Sequence, residues 1–495
     1  MSAADTPDIV IIGSGMGGAT LGAGLAPTGA RIVILERGQQ IPDDAPARDA
    51  WRVYGDSAFK SPETWLDGEG NAFSPGNYYN VGGNSKLYGA VLMRYRAEDF
   101  SEMVHLEGVS PAWPFGPGTL APYYDRAEAL YQVRGDASGD PTEPPHGPYP
   151  HPPVPDEPAI ARARARLERA GLRPFSLPLG VDLDQWLAAG ATGWDGYPDT
   201  RCGKMDAETC GLAVALRHPT VTLQTGARVT GLRVGTDNRT IAQVEYEQGG
   251  ETRVLRPRIV AIACGAVQTA ALLLRSGLAN ASDQVGRCFM NHNASAMIAI
   301  DPRFRNDAVY QKTFGLNDWY LSGGPQDMPL GNVQLLGRVT PEILKIQVPS
   351  LPRAAAGWMS RHALDFYLMS EDLPDPESRV TLSGDQVQLH WRRSNMAAHR
   401  GLVAQMRRAL RRAGFPLVLS RLFDGRVPSH QCGTARMGDD PARSVTDPEG
   451  RTWDHPNLFV TDAAALPTSA AVNPALTIAA LSLRAADTIK RELGA

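Results

Sequence analysis

A glycine-rich turn near the N-terminus constrains the fold more than any other part of the sequence. The turn is Gly13-Ser14-Gly15-Met16-Gly17-Gly18, and it lies between two short apolar runs, residues 8–13 and 31–36. Both runs are rich in β-branched residues, as strands buried on both faces of a parallel sheet are. The Gly/Ala-rich stretch 15–29 between them has the length of a helix. The N-terminal segment therefore predicts a β-α-β unit, the opening of a doubly wound fold.

The spacing of these glycines indicates a dinucleotide site. Gly13 permits the tight turn, Gly15 lets backbone N–H groups approach a pyrophosphate, and Gly18 allows the helix to pack closely on the strand. The helix N-terminus then faces the negative charge. Glu36, at the end of the second strand, is placed to accept hydrogen bonds from a ribose. A glycine-rich packing turn is the alternative, and the motif alone does not separate FAD from NAD.

The remaining pattern indicates two kinds of architecture. Segments of alternating polarity in the region 296–395 are typical of an antiparallel sheet, whereas the segments around residue 260 and near the C-terminus suit the parallel one. We therefore predict an α/β fold with a second domain. The predicted elements are strands 220–223, 227–234, 241–246 and 258–263, helix 266–276, strands 332–337, 379–383 and 386–391, a helix around 402–413, strand 457–462 and helix 475–490.

Composition excludes several classes of protein. The chain has 495 residues, 43% of them hydrophobic and 21% charged, and it contains no apolar run long enough to span a membrane. Its formal net charge of −4 supplies no attraction for nucleic acid. The five cysteines are scattered without a CxxC pair, so we expect no zinc or iron–sulfur site. Because no signal peptide precedes the first strand, we expect a cytoplasmic protein, with export alongside a partner subunit left open.

Two further blocks carry candidate functional residues. In residues 77–90, the paired glycines Gly82 and Gly83 precede small polar residues, and such a backbone can fold against a flat aromatic ring, although the pattern alone indicates only a turn. Near the C-terminus, His430 precedes Asn473 by 43 residues. A neutral imidazole is suited to accept a hydroxyl proton, and a carboxamide can hold the same hydroxyl in line. A histidine alone in a loop is otherwise commonly structural.

Four separated blocks together resemble the glucose-methanol-choline (GMC) oxidoreductases. These are the N-terminal turn with Glu36, residues 82–90, residues 265–292 and residues 430–478. The resemblance extends from about residue 8 to residue 490. It implies a doubly wound FAD domain interleaved with a substrate domain built on a six-stranded antiparallel sheet. We assign residues 1–45, 75–104, 215–295 and 446–495 to the FAD domain, and residues 46–74, 105–214 and 296–445 to the substrate domain and its connections.

The resemblance also implies residue roles. His430 is the catalytic base, and Asn473 stands where other members carry a second histidine or an asparagine. Val229 touches the adenine side of FAD through its backbone, and Asp462 meets the ribityl–pyrophosphate region. The expected FAD-binding residues are Gly13, Gly15, Met16, Gly17, Gly18, Glu36, Arg37, Gly82, Gly83, Asn84, Ser85, Val229, Asp462, Asn473 and Pro474.

Within the family, the chain is most similar to the pyranose oxidases and the bacterial glycoside 3-oxidases and glucoside 3-dehydrogenases. The pairing of histidine with asparagine and the phrase Asn473-Pro-Ala-Leu-Thr carry this similarity. Where pyranose oxidases have a histidine that attaches FAD covalently, this chain has Leu87, so we expect non-covalent FAD. Some bacterial relatives carry a Cys-rich run before the segment that begins at residue 201 here, and this sequence lacks that run.

The resemblance implies oxidation of a secondary hydroxyl of a sugar or glycoside, at C3 or C2, with O2, a quinone or a cytochrome as electron acceptor. The alternatives are a different alcohol, such as choline, a sterol or an aliphatic alcohol, and a non-catalytic flavin electron-transfer subunit. The oligomeric state stays open. Candidates for sugar contacts, each with a structural role as the more common alternative, are Gln311, Asn317, Trp319, Gln334, Glu371 and Asp372.

Overall fold

The computed structural model describes residues 6–43, 48–188, 193–199, 203–424 and 429–494. The strands are β1 (Ile9–Ile12), β2 (Ile32–Leu35), β3 (Trp65–Asp67), β4 (Ala72–Phe73), β5 (Met103–His105), β6 (Gly108–Ser110), β7 (Phe175–Ser176), β8 (Val221–Gln224), β9 (Arg228–Val234), β10 (Ile241–Gln248), β11 (Glu251–Leu255), β12 (Ile259–Ile262), β13 (Asn293–Ile300), β14 (Phe314–Leu316), β15 (Asn332–Leu335), β16 (Ala363–Ser370), β17 (Arg379–Ser383), β18 (Gln386–His390), β19 (Leu417–Leu422) and β20 (Leu458–Val460). The helices are α1 (Met16–Leu25), α2 (Ala121–Leu130), α3 (Pro158–Arg169), α4 (Leu183–Ala188), α5 (Ala213–Ala215), α6 (Ala266–Ser276), α7 (Pro341–Gln347), α8 (Arg353–His362), α9 (Met396–Arg412) and α10 (Ala475–Leu493).

The first sheet has five parallel strands in the order β20-β12-β1-β2-β8. Every residue of β1, β2, β12 and β20 is buried, which explains why these strands are continuous apolar runs. Helix α1 packs against α10. The β-α-β unit and the doubly wound fold predicted from the N-terminal turn are confirmed.

The second large sheet has six strands in the order β19-β13-β16-β15-β14-β7, and all of its pairings are antiparallel. Helix α9 packs against β13, β16 and β19. The apolar side of α9 is buried through Leu402, Met406, Ala409 and Leu410. The predicted combination of a doubly wound sheet with an antiparallel one is therefore confirmed.

Strands β17 and β18 do not join this six-stranded sheet, contrary to the prediction. They form a hairpin in a separate sheet of order β17-β18-β3-β4, where β18 runs parallel to β3 and Gln388 is opposite Leu66. Alternating polarity identifies a half-buried strand, but it carries no information on which strand becomes its neighbour. The pairing of β18 with β3, more than 300 positions away, could therefore not be predicted from the sequence.

The strand predicted for residues 241–246 is longer in the structure and extends to the turn that leads into β11. Strand β10 runs to Gln248, and β11 returns antiparallel beside it. Gly249 and Gly250 form the connection, and both have positive φ (61° and 83°), a conformation that favours glycine.

Across the described ranges, no helix combines the length and apolarity needed to cross a membrane.

Candidate active site

The glycine turn is compressed between backbone segments from both ends of the chain. A Cβ added to Gly17 would lie 1.9 Å from the carbonyl oxygen of Thr461, which directly follows β20. A Cβ on Gly18 would lie 2.0 Å from the carbonyl oxygen of Gly13, whose own φ is 104°. These three positions therefore require glycine for packing and for backbone conformation.

Gly15 differs from its neighbours because the space beside it is open. A Cβ built there would meet only the carbonyl oxygen of Gly82, at 4.0 Å. Met16 begins α1, whose N-terminus has no side-chain cap and no acidic residue in its first turn. The N-terminal backbone N–H groups of this helix are thus free to bind an anion such as a pyrophosphate.

The two glycine blocks contact each other. The Gly82 N–H donates to Ser14 Oγ at 3.1 Å, and a Cβ on Gly83 would lie 3.2 Å from the Gly15 Cα. Gly82 has a φ of 85° and precedes a 3-10 helix from Gly83 to Leu87. Within this block, Asn84 Oδ1 accepts from the Tyr78 N–H, and Ser85 Oγ donates to the Gly82 carbonyl.

Glu36 is held by the turn itself. Its carboxylate accepts from the N–H and the Oγ of Ser14 at 3.1 and 2.6 Å, and from the Gly38 N–H at 2.8 Å. Burial raises the pKa of Glu36, against the lowering effect of these donors. Three bonds fill three of about four acceptor positions on a carboxylate, so one remains for a ribose hydroxyl. Arg37 stacks over the Tyr79 ring, with 3.8 Å from the guanidinium carbon to the ring centroid.

Asp462 links the C-terminal part of the chain to helix α6. Its carboxylate accepts from the Gly265 N–H at 2.8 Å, from Thr269 Oγ1 at 2.5 Å and from the Ala464 N–H at 2.8 Å. Burial raises its pKa, against these hydrogen bonds. Val229 lies in β9, which packs on α6, and it is opposite Tyr246 in the neighbouring strand. Pro474 is the N-terminal cap position of α10.

His430 is held by two neighbours from one segment. Its backbone N–H donates to Asn291 Oδ1 at 2.7 Å, and its Nδ1 lies 2.8 Å from Nδ1 of His292. The two imidazole rings are 4.8 Å apart, edge to face. Burial lowers the pKa of His430 well below its ordinary value, and His292 and Lys312 lower it further. The imidazole is therefore neutral near pH 7, as a proton acceptor must be.

His292 connects His430 to the segment that carries Asn473. Its side chain is buried, and its Nε2 lies 3.0 Å from the carbonyl oxygen of Ser469. Burial lowers the pKa of His292 as well. The loop that follows β20 thus contacts the histidine pair four residues before Asn473.

Asn473 lies against the six-stranded sheet. Its Oδ1 accepts from Nε2 of Gln334 in β15 at 3.0 Å. Gln334 is opposite Tyr367 in β16, and the Tyr367 ring centroid is 6.4 Å from that of His430. His430 and Asn473 therefore meet the same sheet face through neighbouring side chains, although 43 residues separate them in the sequence.

Two models of the GMC oxidoreductase family match the chain, over residues 183–294 and 374–482. The 6'''-hydroxyparomomycin C oxidase of Streptomyces lividus is 29% identical over 529 positions, which cover 99% of this chain and 92% of that protein. The chain belongs to the GMC oxidoreductases.

Two further relatives fit this assignment. The C-glycoside 3-oxidase of Microbacterium trichothecenolyticum is 30% identical to this GMC oxidoreductase over 292 positions, which cover 56% of the chain and 55% of that protein. The crystal structure of pyridoxine 4-oxidase from Mesorbium loti superimposes with a TM-score of 0.65 at 19% identity, over 98% of this chain and 99% of that one, which is a likeness of fold.

GMC oxidoreductases bind FAD, and the residues of this member fit that cofactor. The open space beside Gly15 and the uncapped N-terminus of α1 suit its pyrophosphate, and Glu36 retains an acceptor for its ribose. The predicted cofactor is thereby confirmed. Leu87 packs against an apolar cluster that contains Val53 and Tyr197.

Among the candidates for sugar contacts, Gln334 is the one bonded to a predicted catalytic residue. Its Nε2 also donates to Asn332 Oδ1 at 3.1 Å, whereas its Oε1 is buried and has no partner within the described part of the chain. The other candidates are engaged within the protein: Gln311 with Asn306, Asn317 with Asp140, Trp319 in the core beneath α9, Glu371 with His105, and Asp372 with Asn291 and Ser394.

Sequence reasoning assigned no role to His292, Tyr367 or Lys312 of this GMC oxidoreductase. His292 was visible only as part of the block 265–292. A histidine 138 positions from its partner has no spacing signature, because their contact depends on how the sheets pack. Tyr367 lies in β16, a strand whose other residues are all buried, and nothing in the type or spacing of these residues indicates which segment Tyr367 contacts.

Proposed function

We propose that this GMC oxidoreductase oxidises a secondary hydroxyl of a sugar or glycoside, at C3 or alternatively at C2, to the ketone. The observation that carries the proposal is the neutral imidazole of His430 beside the face that presents the Asn473 and Gln334 amides. Polar, uncharged groups of this kind suit a polyhydroxylated substrate. The resemblance to glycoside 3-oxidases in the sequence around Asn473 supports the position.

In the proposed reaction, His430 accepts the hydroxyl proton of the substrate while Asn473 orients the same oxygen. Because the Asn473 Oδ1 is bonded to Gln334, its Nδ2 amide is the end that donates to the substrate. Bound FAD supplies the hydride acceptor. With leucine at position 87, we propose that FAD is held non-covalently.

A second position of oxidation is favoured by one comparison. One relative that aligns over 99% of this chain is an oxidase named for a 6'''-hydroxylated compound, and a hydroxyl at position 6 of a hexose is a primary, exocyclic one. Its oxidation would give an aldehyde by the same proton and hydride transfers. The nature of the product carbonyl therefore distinguishes the two candidates.

We also propose that the electron acceptor is O2, a quinone or a cytochrome, and that the protein is located in the cytoplasm. Choline, sterols and aliphatic alcohols are alternative substrates. A non-catalytic electron-transfer subunit is the rival of another class. Such a subunit would not need a neutral imidazole that is held by two hydrogen bonds beside the amides of Gln334 and Asn473.

The test is anaerobic mixing of the FAD-loaded protein with a panel of alcohols: D-glucose, methyl β-D-glucoside, an aryl C-glucoside, paromamine, choline and 1-butanol. We expect loss of the oxidised-flavin absorbance with a sugar, and NMR of the product to show a ketone on the ring. An aldehyde at carbon 6 would replace the first position by the second. Absence of flavin reduction with every alcohol would refute the proposed function.

A further inference from the structure

A chain of two hydrogen bonds determines where the protons of the histidine pair reside. The Ser469 carbonyl oxygen lies 3.0 Å from Nε2 of His292, and Nδ1 of His292 lies 2.8 Å from Nδ1 of His430. A carbonyl oxygen only accepts hydrogen bonds, so Nε2 of His292 must carry the hydrogen. A neutral imidazole has one N–H, and His292 Nδ1 is therefore an acceptor.

The same reasoning passes to His430. Because His292 Nδ1 accepts, the hydrogen between the two rings belongs to Nδ1 of His430. Its Nε2 is then unprotonated and carries a free lone pair. In the opposite tautomer of His430, two lone pairs would face each other across 2.8 Å in a partly buried site. In the opposite tautomer of His292, its Nε2 lone pair would face the Ser469 carbonyl at 3.0 Å.

We propose that His292 is a positioning residue that fixes His430 in the tautomer with hydrogen on Nδ1, leaving Nε2 as the atom that accepts the substrate proton. The inference rests on the proposed function, in which His430 is the base, and adds the atom that reacts and the residue that selects it. The proton then moves from the substrate oxygen to Nε2. His430 becomes an imidazolium whose Nδ1–H is already donated to His292.

The charged and titratable groups around the pair are few within the described residues. Lys312 disfavours charge on His430, and Glu371 favours charge on His292. Lys312 is itself paired with Asp195 at 2.9 Å, and the Tyr367 ring packs beside His430. None of these groups hydrogen-bonds a ring nitrogen of His430, so tautomer selection falls to His292.

The first experiment observes the tautomer directly, without turnover. FAD-loaded protein is labelled with 15N-histidine, and long-range 1H–15N spectra distinguish protonated from unprotonated ring nitrogens. The His430 signals are assigned as those missing from His430→Gln. We expect a protonated Nδ1 and an unprotonated Nε2 at pH 7.5, and a mixture of tautomers in His292→Leu. A protonated Nε2 on His430 in the unmodified protein, or an unchanged tautomer in His292→Leu, would overturn the proposal.

The second experiment compares two replacements of His292 by anaerobic flavin reduction, with a sugar that the unmodified enzyme oxidises. His292→Leu removes the acceptor, and we expect the limiting reductive rate to fall about 10- to 100-fold with little change in apparent substrate affinity. His292→Asp restores an acceptor for the Nδ1–H. We expect this variant to recover most of the rate and to shift the acid limb of the pH profile upward, because a carboxylate raises the pKa of its imidazole partner.

A matched control is His399→Leu, which removes another buried histidine, bonded to Ser295 and Ser370. Its rate and pH profile should match those of the unmodified enzyme. Equal losses in His292→Leu and His292→Asp with the acid limb in place would make His292 merely structural and defeat the inference. If no sugar reduces the flavin, the proposed function fails, while the NMR result still decides the tautomer.

Discussion

The nucleotide turn and the proposed alcohol site of this protein are built in opposite ways. The turn is six consecutive residues, and its selectivity for glycine comes from backbone atoms such as the Thr461 carbonyl, 1.9 Å from a Cβ at Gly17. The proposed alcohol site is made of side chains from five distant segments, which supply His292, Gln334, Tyr367, His430 and Asn473. Backbone crowding dictates the residue type, so the turn leaves a pattern in the sequence. Side chains that converge from distant segments leave no such pattern, because a side chain at another position in the sequence could reach the same point.

The largest effect should come from breaking the turn. Gly17→Ala puts a Cβ into the Thr461 carbonyl, an overpacking that costs about 3 kcal/mol of folding stability. We expect purified Gly17→Ala to carry little FAD and to melt at a lower temperature. Gly15→Ala is the matched control: its Cβ meets no protein atom closer than 4.0 Å, so the apo fold should persist while FAD affinity falls. A wild-type FAD content in Gly17→Ala would contradict the packing argument.

Breaking the alcohol site should spare the cofactor. His430→Ala removes the proposed base, and we expect the reductive rate to fall by about 10² to 10⁴ while FAD stays bound. Stopped-flow absorbance measures the rate, and the ratio of flavin to protein absorbance measures cofactor content. His390→Ala, in β18, serves as the control and should keep full activity. If His430→Ala reduced its flavin as fast as the unmodified protein, another group would be the base.

A smaller effect is expected from the amide pair. Gln334→Leu removes the hydrogen bond to Asn473 Oδ1, worth about 1 kcal/mol, so the rate should fall roughly five- to tenfold. Asn473→Ala should cost more, because it also removes the donor to the substrate. If the two act as one unit, the double variant should be no worse than Asn473→Ala alone. Multiplicative losses would show that Gln334 and Asn473 act independently.

The smallest effect concerns pH. Only neutral His430 accepts a proton, and its pKa is lowered well below the ordinary value of about 6.5. Activity limited by this group is therefore full above its pKa and lost as pH falls through it. We expect the reductive rate to be flat from about pH 6.5 upward and to decline only in more acidic solution. An acid limb centred at or above pH 7 would contradict this prediction, because it would mean that His430 is more exposed to solvent, or closer to an anionic group, than it is in the structure.

The same contrast explains what the sequence could reveal. The turn, the burial of β1 and β2, and the position of Glu36 follow from residue type and spacing. The sheet membership of β17 and β18 did not, because alternation is the same whichever neighbour a strand pairs with. At the alcohol site, His430 and Asn473 were proposed from resemblance, and their catalytic roles remain predictions. His292, which determines the geometry of His430, was unassigned because its partners lie 138 and 177 positions away.

The strand at the edge of the nucleotide sheet has a consequence for biogenesis. Leu458–Val460 pairs with Val260–Ile262, and the helix beginning at Ala475 packs on the one beginning at Met16. A ribosome must therefore finish almost the whole polypeptide before the earliest glycines acquire their final neighbours. Contacts of such long sequence separation form slowly and leave apolar surface exposed meanwhile. Cofactor loading is thus a post-translational event, and chain truncation before the last helix should yield protein without flavin.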